Sequence, residues 1–206
     1  LVTPIKAGCD INLEPAWELC AGDPSIIVAV VDQPVIYTHP DLKANMWINE
    51  KELNGEEGVD DDGNGYVDDI YGFNFISEYS ATTGESKYIR EIQWDDDSNA
   101  NVHGTHVAGT ISAVNNNGVG VCGVAGGTGN NDGVKLMSIQ IHGPMSSATT
   151  EGTAAGIKYA ADNGASILQC SWGEPNGRPG TEEEYLEKFG VQADAINYFI
   201  SKPRPG

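Results

Sequence analysis

Apolar residues in this chain fall into short β-branched runs, separated by amphipathic stretches and by loops rich in Gly and Asp. Residues 26–32 (IIVAVVD) run apolar without alternation, the pattern of a parallel strand covered on both faces. The run ends on a charge, Asp32. In open parallel sheets, strand ends are where ligands and chemistry gather. Residues 119–125 (VGVCGVA), 134–141 (VKLMSIQI) and 166–173 (SILQCSWG) read as further strands, the last of them buried. Helical periodicity predicts a short helix over 12–21 stopped by Gly22, and a helix over 103–114 with small residues on one side. An Ala-rich helix is expected over 150–163, capped by Gly164. A last helix is expected over 181–201, with Tyr185, Leu186, Phe189, Ile196, Phe199 and Ile200 facing inward. Residues 48–80 read as an acid-rich loop. Alternating strands and helices predict an α/β fold: a doubly wound, three-layer α/β/α arrangement around a parallel sheet.

The 206 residues suffice for one such domain, with residues 1–22 as an N-terminal segment and 23–206 as its α/β portion. No apolar stretch is long enough to span a membrane. The first residue is Leu1, which suggests a processed or trimmed N-terminus. A net charge of −19 argues against nucleic acid and anionic membranes as partners. That acidity serves solubility, or some of the carboxylates bind cations. Cys9 and Cys20 could pair if the protein is exported, whereas Cys122 and Cys170 lie in apolar runs and read as buried thiols.

Two segments carry the chemistry. The first is Val28-Ala29-Val30-Val31-Asp32 with Thr38-His39-Pro40-Asp41-Leu42 behind it; the second is His103-Gly104-Thr105-His106-Val107-Ala108-Gly109-Thr110. In this order and spacing they resemble the subtilisin-like serine proteases, the subtilases. Gly120-Val121-Cys122-Gly123-Val124-Ala125 and Ser171-Trp172-Gly173 are weaker matches. The resemblance implies a subtilisin-like sheet, truncated at the C-terminal side, where SKPRPG breaks off before another expected strand. It implies Asp32 as the carboxylate that orients an imidazole, and His103 as that imidazole, the general base. A serine hydroxyl needs such a base to take its proton. His106, one helical turn on, reads as structural, and His39 as a turn residue. Ser171, Trp172 and Gly173 resemble the segment that pairs with substrate main chain, and Gly143 could line the opposite side.

The chain departs from the family pattern twice. Gln33 and Pro34 replace a small hydroxyl residue and Gly after Asp32, which could shift Asp32 relative to His103. No Gly-Thr-Ser-Met-Ala-like segment and no Ala-Gly-Asn segment occur in the chain. Ser146 and Ser147 read as capping residues of the following helix.

Residues 60–69 (DDDGNGYVDD) set Asp60, Asp62 and Asn64 at alternating positions before Gly65. Tyr66 could add a carbonyl, and Asp68 or Asp69 could close the shell. The pattern resembles the opening of a Ca²⁺ loop, with a solvated acidic turn as the alternative. The subtilase resemblance implies a second Ca²⁺ site, built from Asp41, the Asn117 side chain and the carbonyls of Val114, Val119 and Val121. A Gly/Asn loop without metal is the alternative there. The expected activity is a serine endopeptidase acting on a peptide or protein substrate, inactive as this chain alone. The alternatives are a non-catalytic pseudoprotease or peptide-binding module, or a trimmed chain with no separate function. Family habit implies a secreted, periplasmic or cell-surface location. A cut sheet edge implies possible self-association.

Overall fold

The computed structural model describes residues 8, 10–94, 102–143, 146–173 and 180–203. A five-stranded sheet has the order β3-β2-β4-β1-β5. β1 (Ile27–Asp32) lies between β4 (Lys135–Gln140) and β5 (Ile167–Gln169), parallel to both. β2 (Gly72–Ser80) is parallel to β4, and β3 (Glu85–Arg90) folds back antiparallel on β2. The sheet is therefore parallel in four strands, with an antiparallel hairpin at one edge.

Ala29, Val30 and Val31 have no exposed surface, because β1 is covered on both faces. On one face, α4 (Thr150–Asp162) lays Ile157, Tyr159 and Ala160 against Ala29, Val31, Met137 and Ile139. α5 (Glu182–Ser201) packs on α4 through Ala195 and Phe199. The opposite face holds α3 (His103–Ser112), where Ala108 meets Val30, Leu42, Met46 and Leu136. Thus the expected three layers are present. The register sets Asp32 beside Gln140 of β4. The last residue of β1 thereby comes to the start of α3, which lies 71 residues on in the chain.

Several expectations fail for physical reasons. Residues 119–125 form a loop, not a strand: Gly118 and Gly120 hold positive φ, and Cys122 is exposed, not buried. Segment 48–80 contains α2 (Glu50–Leu53) and β2, so it is not all loop. β5 is short and partly exposed, because it has a strand on one side only among the described residues. The first helix, α1, covers only Glu14–Trp17 and ends well before Gly22, which instead lies against the Ala125 carbonyl. On α5, Tyr185, Leu186, Ile196 and Ile200 are exposed, and Phe189 and Phe199 turn inward with Ala195. Thr149, not Ser146 or Ser147, caps α4, accepting from the Gly152 N–H. The Cys9–Cys20 pairing falls on Cys9, outside the described residues.

Candidate active site

Asp32 closes β1 with 1% of its surface exposed. Its Oδ1 lies 2.7 Å from His103 Nδ1, at the first residue of α3, and also accepts the Gln33 N–H at 2.6 Å. Its Oδ2 is buried with no hydrogen-bond partner among the described residues. The His103 side chain is about half exposed, so its ring leans from a buried carboxylate toward open solvent. An imidazole held at Nδ1 by a carboxylate has a fixed tautomer and a free Nε2, the geometry of a general base. With Gln33 and Pro34 in place, the two side chains still meet. The turn is stitched to α3: Gln33 Oε1 accepts the His103 N–H at 3.1 Å, the Ile36 N–H donates to Thr105 Oγ1 at 3.0 Å, and Thr105 Oγ1 donates to the Pro34 carbonyl at 3.2 Å.

Beyond β5, Ser171, Trp172 and Gly173 are exposed. Trp172 Nε1 donates back to the Val31 carbonyl at 2.8 Å, which keeps this segment beside the tip of β1. His142, without a role in the sequence reading, belongs to the same surface. Its N–H donates to the Asp32 carbonyl at 3.3 Å, and its ring stands edge-on to Trp172 at 6.1 Å. Burial pushes the His142 pKa below the ordinary imidazole value; the Asp32 charge works against this, and His103 adds to it. Its Nδ1 pairs with Ser147 Oγ at 2.9 Å. That Ser–His contact lacks an orienting carboxylate on the second ring nitrogen among the described residues. Cys170 is exposed, contrary to expectation, yet its thiol is crowded enough, and near enough to Asp32, to be pushed up to about 11. It therefore stays protonated and unreactive at neutral pH. His106 is exposed; His39 Nδ1 accepts the Asp41 N–H at 3.2 Å, within its turn. The Gly143 N–H is bonded to the Ser146 carbonyl.

In the acid-rich loop, one carboxylate oxygen each from Glu52, Asp62 and Asp69 lie within 4.8 Å of one another. Glu52 was not singled out from the sequence, because it lies on α2, outside the DDDGNGYVDD segment. Asp60 spends both oxygens on its own loop, accepting from the N–H groups of Gly63, Asn64 and Gly65, which lowers its pKa. Asn64 Nδ2 donates to Asp62 and Asp69, and its Oδ1 accepts the Tyr66 N–H. The Tyr66 ring packs edge-on against Phe73, Phe75 and Tyr159, anchoring the loop to the core. Burial raises the pKa of Asp69, while hydrogen bonds from Tyr159, Asn64 and Asn49 work against it. Three close acids, two of them buried, form an all-oxygen donor set that suits a hard cation.

At the second loop, Asp41 is 2% exposed. Its Oδ1 accepts from Asn117 Nδ2 at 2.7 Å and its Oδ2 from the Val121 N–H at 2.9 Å; its carbonyl accepts the Val114 N–H. The Val119 N–H donates to Asn117 Oδ1. Asp41, Val114, Asn117, Val119 and Val121 are thus brought together, with N–H donors turned toward the carboxylate.

Residues 23–201 match the Subtilase family. The chain is 47% identical over 97 residues to subtilisin-like protease 1 of Plasmodium berghei, across 47% of this chain and 14% of that protein. It is 31% identical over 163 residues to halolysin of Haloferax mediterranei, across 79% of this chain and 24% of the relative. With the minor extracellular protease Vpr of Bacillus subtilis it shares 31% identity over 191 residues, across 91% of this chain and 19% of that protein. The chain therefore spans a quarter or less of the length of these relatives. Among solved structures, a protease from Pseudoalteromonas arctica superposes with a TM-score of 0.57 at 24% identity, over 93% of this chain and 50% of that one. The likeness shows a shared fold. A match over most of the chain, on a sheet that brings Asp32 to His103, makes this chain a member of the subtilase family.

Proposed function

We propose that the protein is a serine endopeptidase, in which Asp32 orients His103 and His103 takes the proton of a serine hydroxyl during attack on a peptide carbonyl. The observation that carries this reading is the 2.7 Å contact between a buried carboxylate and a half-exposed imidazole. Asp32 stabilises the imidazolium that forms, and His103 later returns the proton to the leaving amine. Ser171, Trp172 and Gly173 offer main chain to an extended substrate on the exposed side of β5. No Gly-Thr-Ser-like segment occurs in these residues. On this reading the serine belongs to a longer chain, and residues 1–206 alone hydrolyse peptides negligibly, because triad members act as a unit. The test is labelling with a fluorophosphonate probe alongside casein hydrolysis. The chain alone should show neither, whereas the longer protein should label once and digest casein. Labelling of the chain alone, at Ser147 or elsewhere, would refute the assignment.

Calcium would be held by Asp62 and Asp69, with Asn64 turning its oxygen inward and Glu52 joining through Oε2, since its Oε1 accepts the Asp61 and Asp62 N–H groups and its Oε2 only that of Asp68. Asp60 would join only by giving up its loop N–H bonds, and the Tyr66 carbonyl would complete the shell. A second ion would sit on Asp41, with Asn117 and the carbonyls of Val114, Val119 and Val121. There the amide of Asn117 must turn its oxygen to the metal. Such ions would neutralise packed carboxylates and stiffen loops; they take no part in the proton transfer. Secretion is inferred from extracellular relatives, among them Vpr. No described helix is long and apolar enough to cross a membrane. Self-association through the β5 edge has no observation behind it beyond the exposed edge, and is not part of the proposal.

A further inference from the structure

We propose that Gln33 is a positioning residue: from the tip of β1 it caps the helix that carries His103, and so fixes the Asp32–His103 contact. The inference rests on the reading of that pair as the acid–base unit.

An α-helix begins with N–H groups that have no partner in their own helix. The usual remedy is a Ser, Thr, Asp or Asn at the N-cap. α3 has Val102 there, with no side-chain cap hydrogen bond. The acceptor comes instead from 70 residues earlier, where Gln33 Oε1 takes the His103 N–H at 3.1 Å. Through its own N–H, Gln33 donates to Asp32 Oδ1 at 2.6 Å, the oxygen that faces His103 Nδ1 at 2.7 Å. One residue therefore touches both members of the pair, its backbone on the carboxylate and its side chain on the imidazole's main chain. The close fit depends on Gly104: a Cβ there would lie 2.0 Å from the Gln33 carbonyl oxygen.

The Gln33-Pro34 departure from the subtilase pattern acquires a physical meaning here. The Gln33 amide, carried on two methylenes, reaches the His103 N–H at the start of α3. Asp32 Oδ2 remains buried without a partner among the described residues, with Pro34 offering no N–H nearby. Asp32 is thus held through one oxygen only, and its aim depends on the neighbour that grips that oxygen. Small displacements of a catalytic pair carry large rate costs.

The test uses the isotope-labelled chain with two substitutions. Gln33→Met keeps the length and removes the acceptor; Gln33→Glu keeps an acceptor at the same reach. The readouts are the low-field Nδ1–H resonance of His103, hydrogen exchange at the His103 amide, and the thermal melt. Gln33→Met should speed His103 amide exchange about tenfold, which corresponds to about 1.4 kcal/mol, and broaden or move the Nδ1–H resonance. Gln33→Glu should restore both. A residue that merely caps would move the melt and leave the Nδ1–H resonance in place, and that result overturns the proposal. Failure of Gln33→Glu to restore the resonance overturns it equally. Should Gln33→Met not fold, Gln33→Asn, which is one methylene too short, carries the same two outcomes. If the unaltered chain shows no low-field Nδ1–H resonance, the Asp32–His103 pair is itself absent, and the broader reading falls with the proposal.

Discussion

Replacing Gly104 with alanine sets two effects against each other. In an open helix interior, alanine is about 1 kcal/mol better than glycine. At this position the added Cβ would lie 2.0 Å from the Gln33 carbonyl oxygen, 2.7 Å from its carbon and 2.9 Å from the Pro34 carbonyl oxygen, where ordinary contact begins near 3.4 Å. All three atoms are backbone, so none can swing aside as a side chain would. The tip of β1 and the start of α3 must separate by about 1.4 Å. That shift takes His103 Nδ1 from 2.7 Å to roughly 4 Å from Asp32 Oδ1, beyond hydrogen-bond range. Overpacking strain of about 1–3 kcal/mol adds to two weakened hydrogen bonds of about 1 kcal/mol each. The half-exposed imidazole keeps the ionic part of that loss small. After subtracting the helix gain, the net cost is about 3 kcal/mol, which lowers the melting temperature by roughly 6–12 °C in a domain of this size. Scanning calorimetry reads the melt, and the His103 Nδ1–H resonance reads the contact. A Gly104→Ala variant that melts at or above the parent, with the contact intact, would refute the reasoning.

Three further outcomes follow from the same geometry. His142 has a depressed pKa, so its contribution is fully present above about pH 6.5 and is lost as pH falls below that value; His142→Gln should therefore gain on the parent in melts at pH 5.5 relative to pH 7.5, and a pH-independent gap would count against the depressed pKa of this half-buried imidazole. Tyr159 donates from a nearly inaccessible position to Asp69 Oδ2; Tyr159→Phe should cost about 1.5–3 kcal/mol in urea unfolding, and an unshifted midpoint contradicts the bond. Calcium should raise the melting temperature and EDTA lower it, with Glu52→Gln losing part of the response; an unchanged melt on chelation argues against both metal sites.

Much of the fold could be read from periodicity where burial is two-sided or strongly amphipathic. β1, β4, α3, α4 and α5 all fall within their expected ranges, because runs such as IIVAVVD and Gly-punctuated helices leave little choice. β2 was hidden inside an acidic stretch. Its Phe73, Phe75 and Ile76 are buried, but so is Asn74, whose side chain accepts from the Ile76 N–H and donates to the Glu91 carbonyl. β3 has only two apolar residues and owes its form to pairing with β2, a long-range cause that no local pattern reports. VGVCGVA failed in the other direction: its apolar residues look strand-like, but Gly120, at positive φ, turns the chain against Asp41, and Gly123 packs on the end of α3. At the site, the Asp32 and His103 segments announced themselves through their motifs. Glu52 and His142 did not, and Gln33 stood out only as a departure from the family pattern, because the meaning of all three lies in contacts made across the fold.

The most direct measurement of the central claim is the turnover of the longer protein with Asp32 replaced by Asn on a fluorogenic peptide, with KM and kcat separated. If Asp32 orients His103 for proton transfer, kcat should fall by about four orders of magnitude, the scale seen for this replacement in Ser-His-Asp hydrolases, while KM changes little. A variant that turns over within tenfold of the parent would contradict the account.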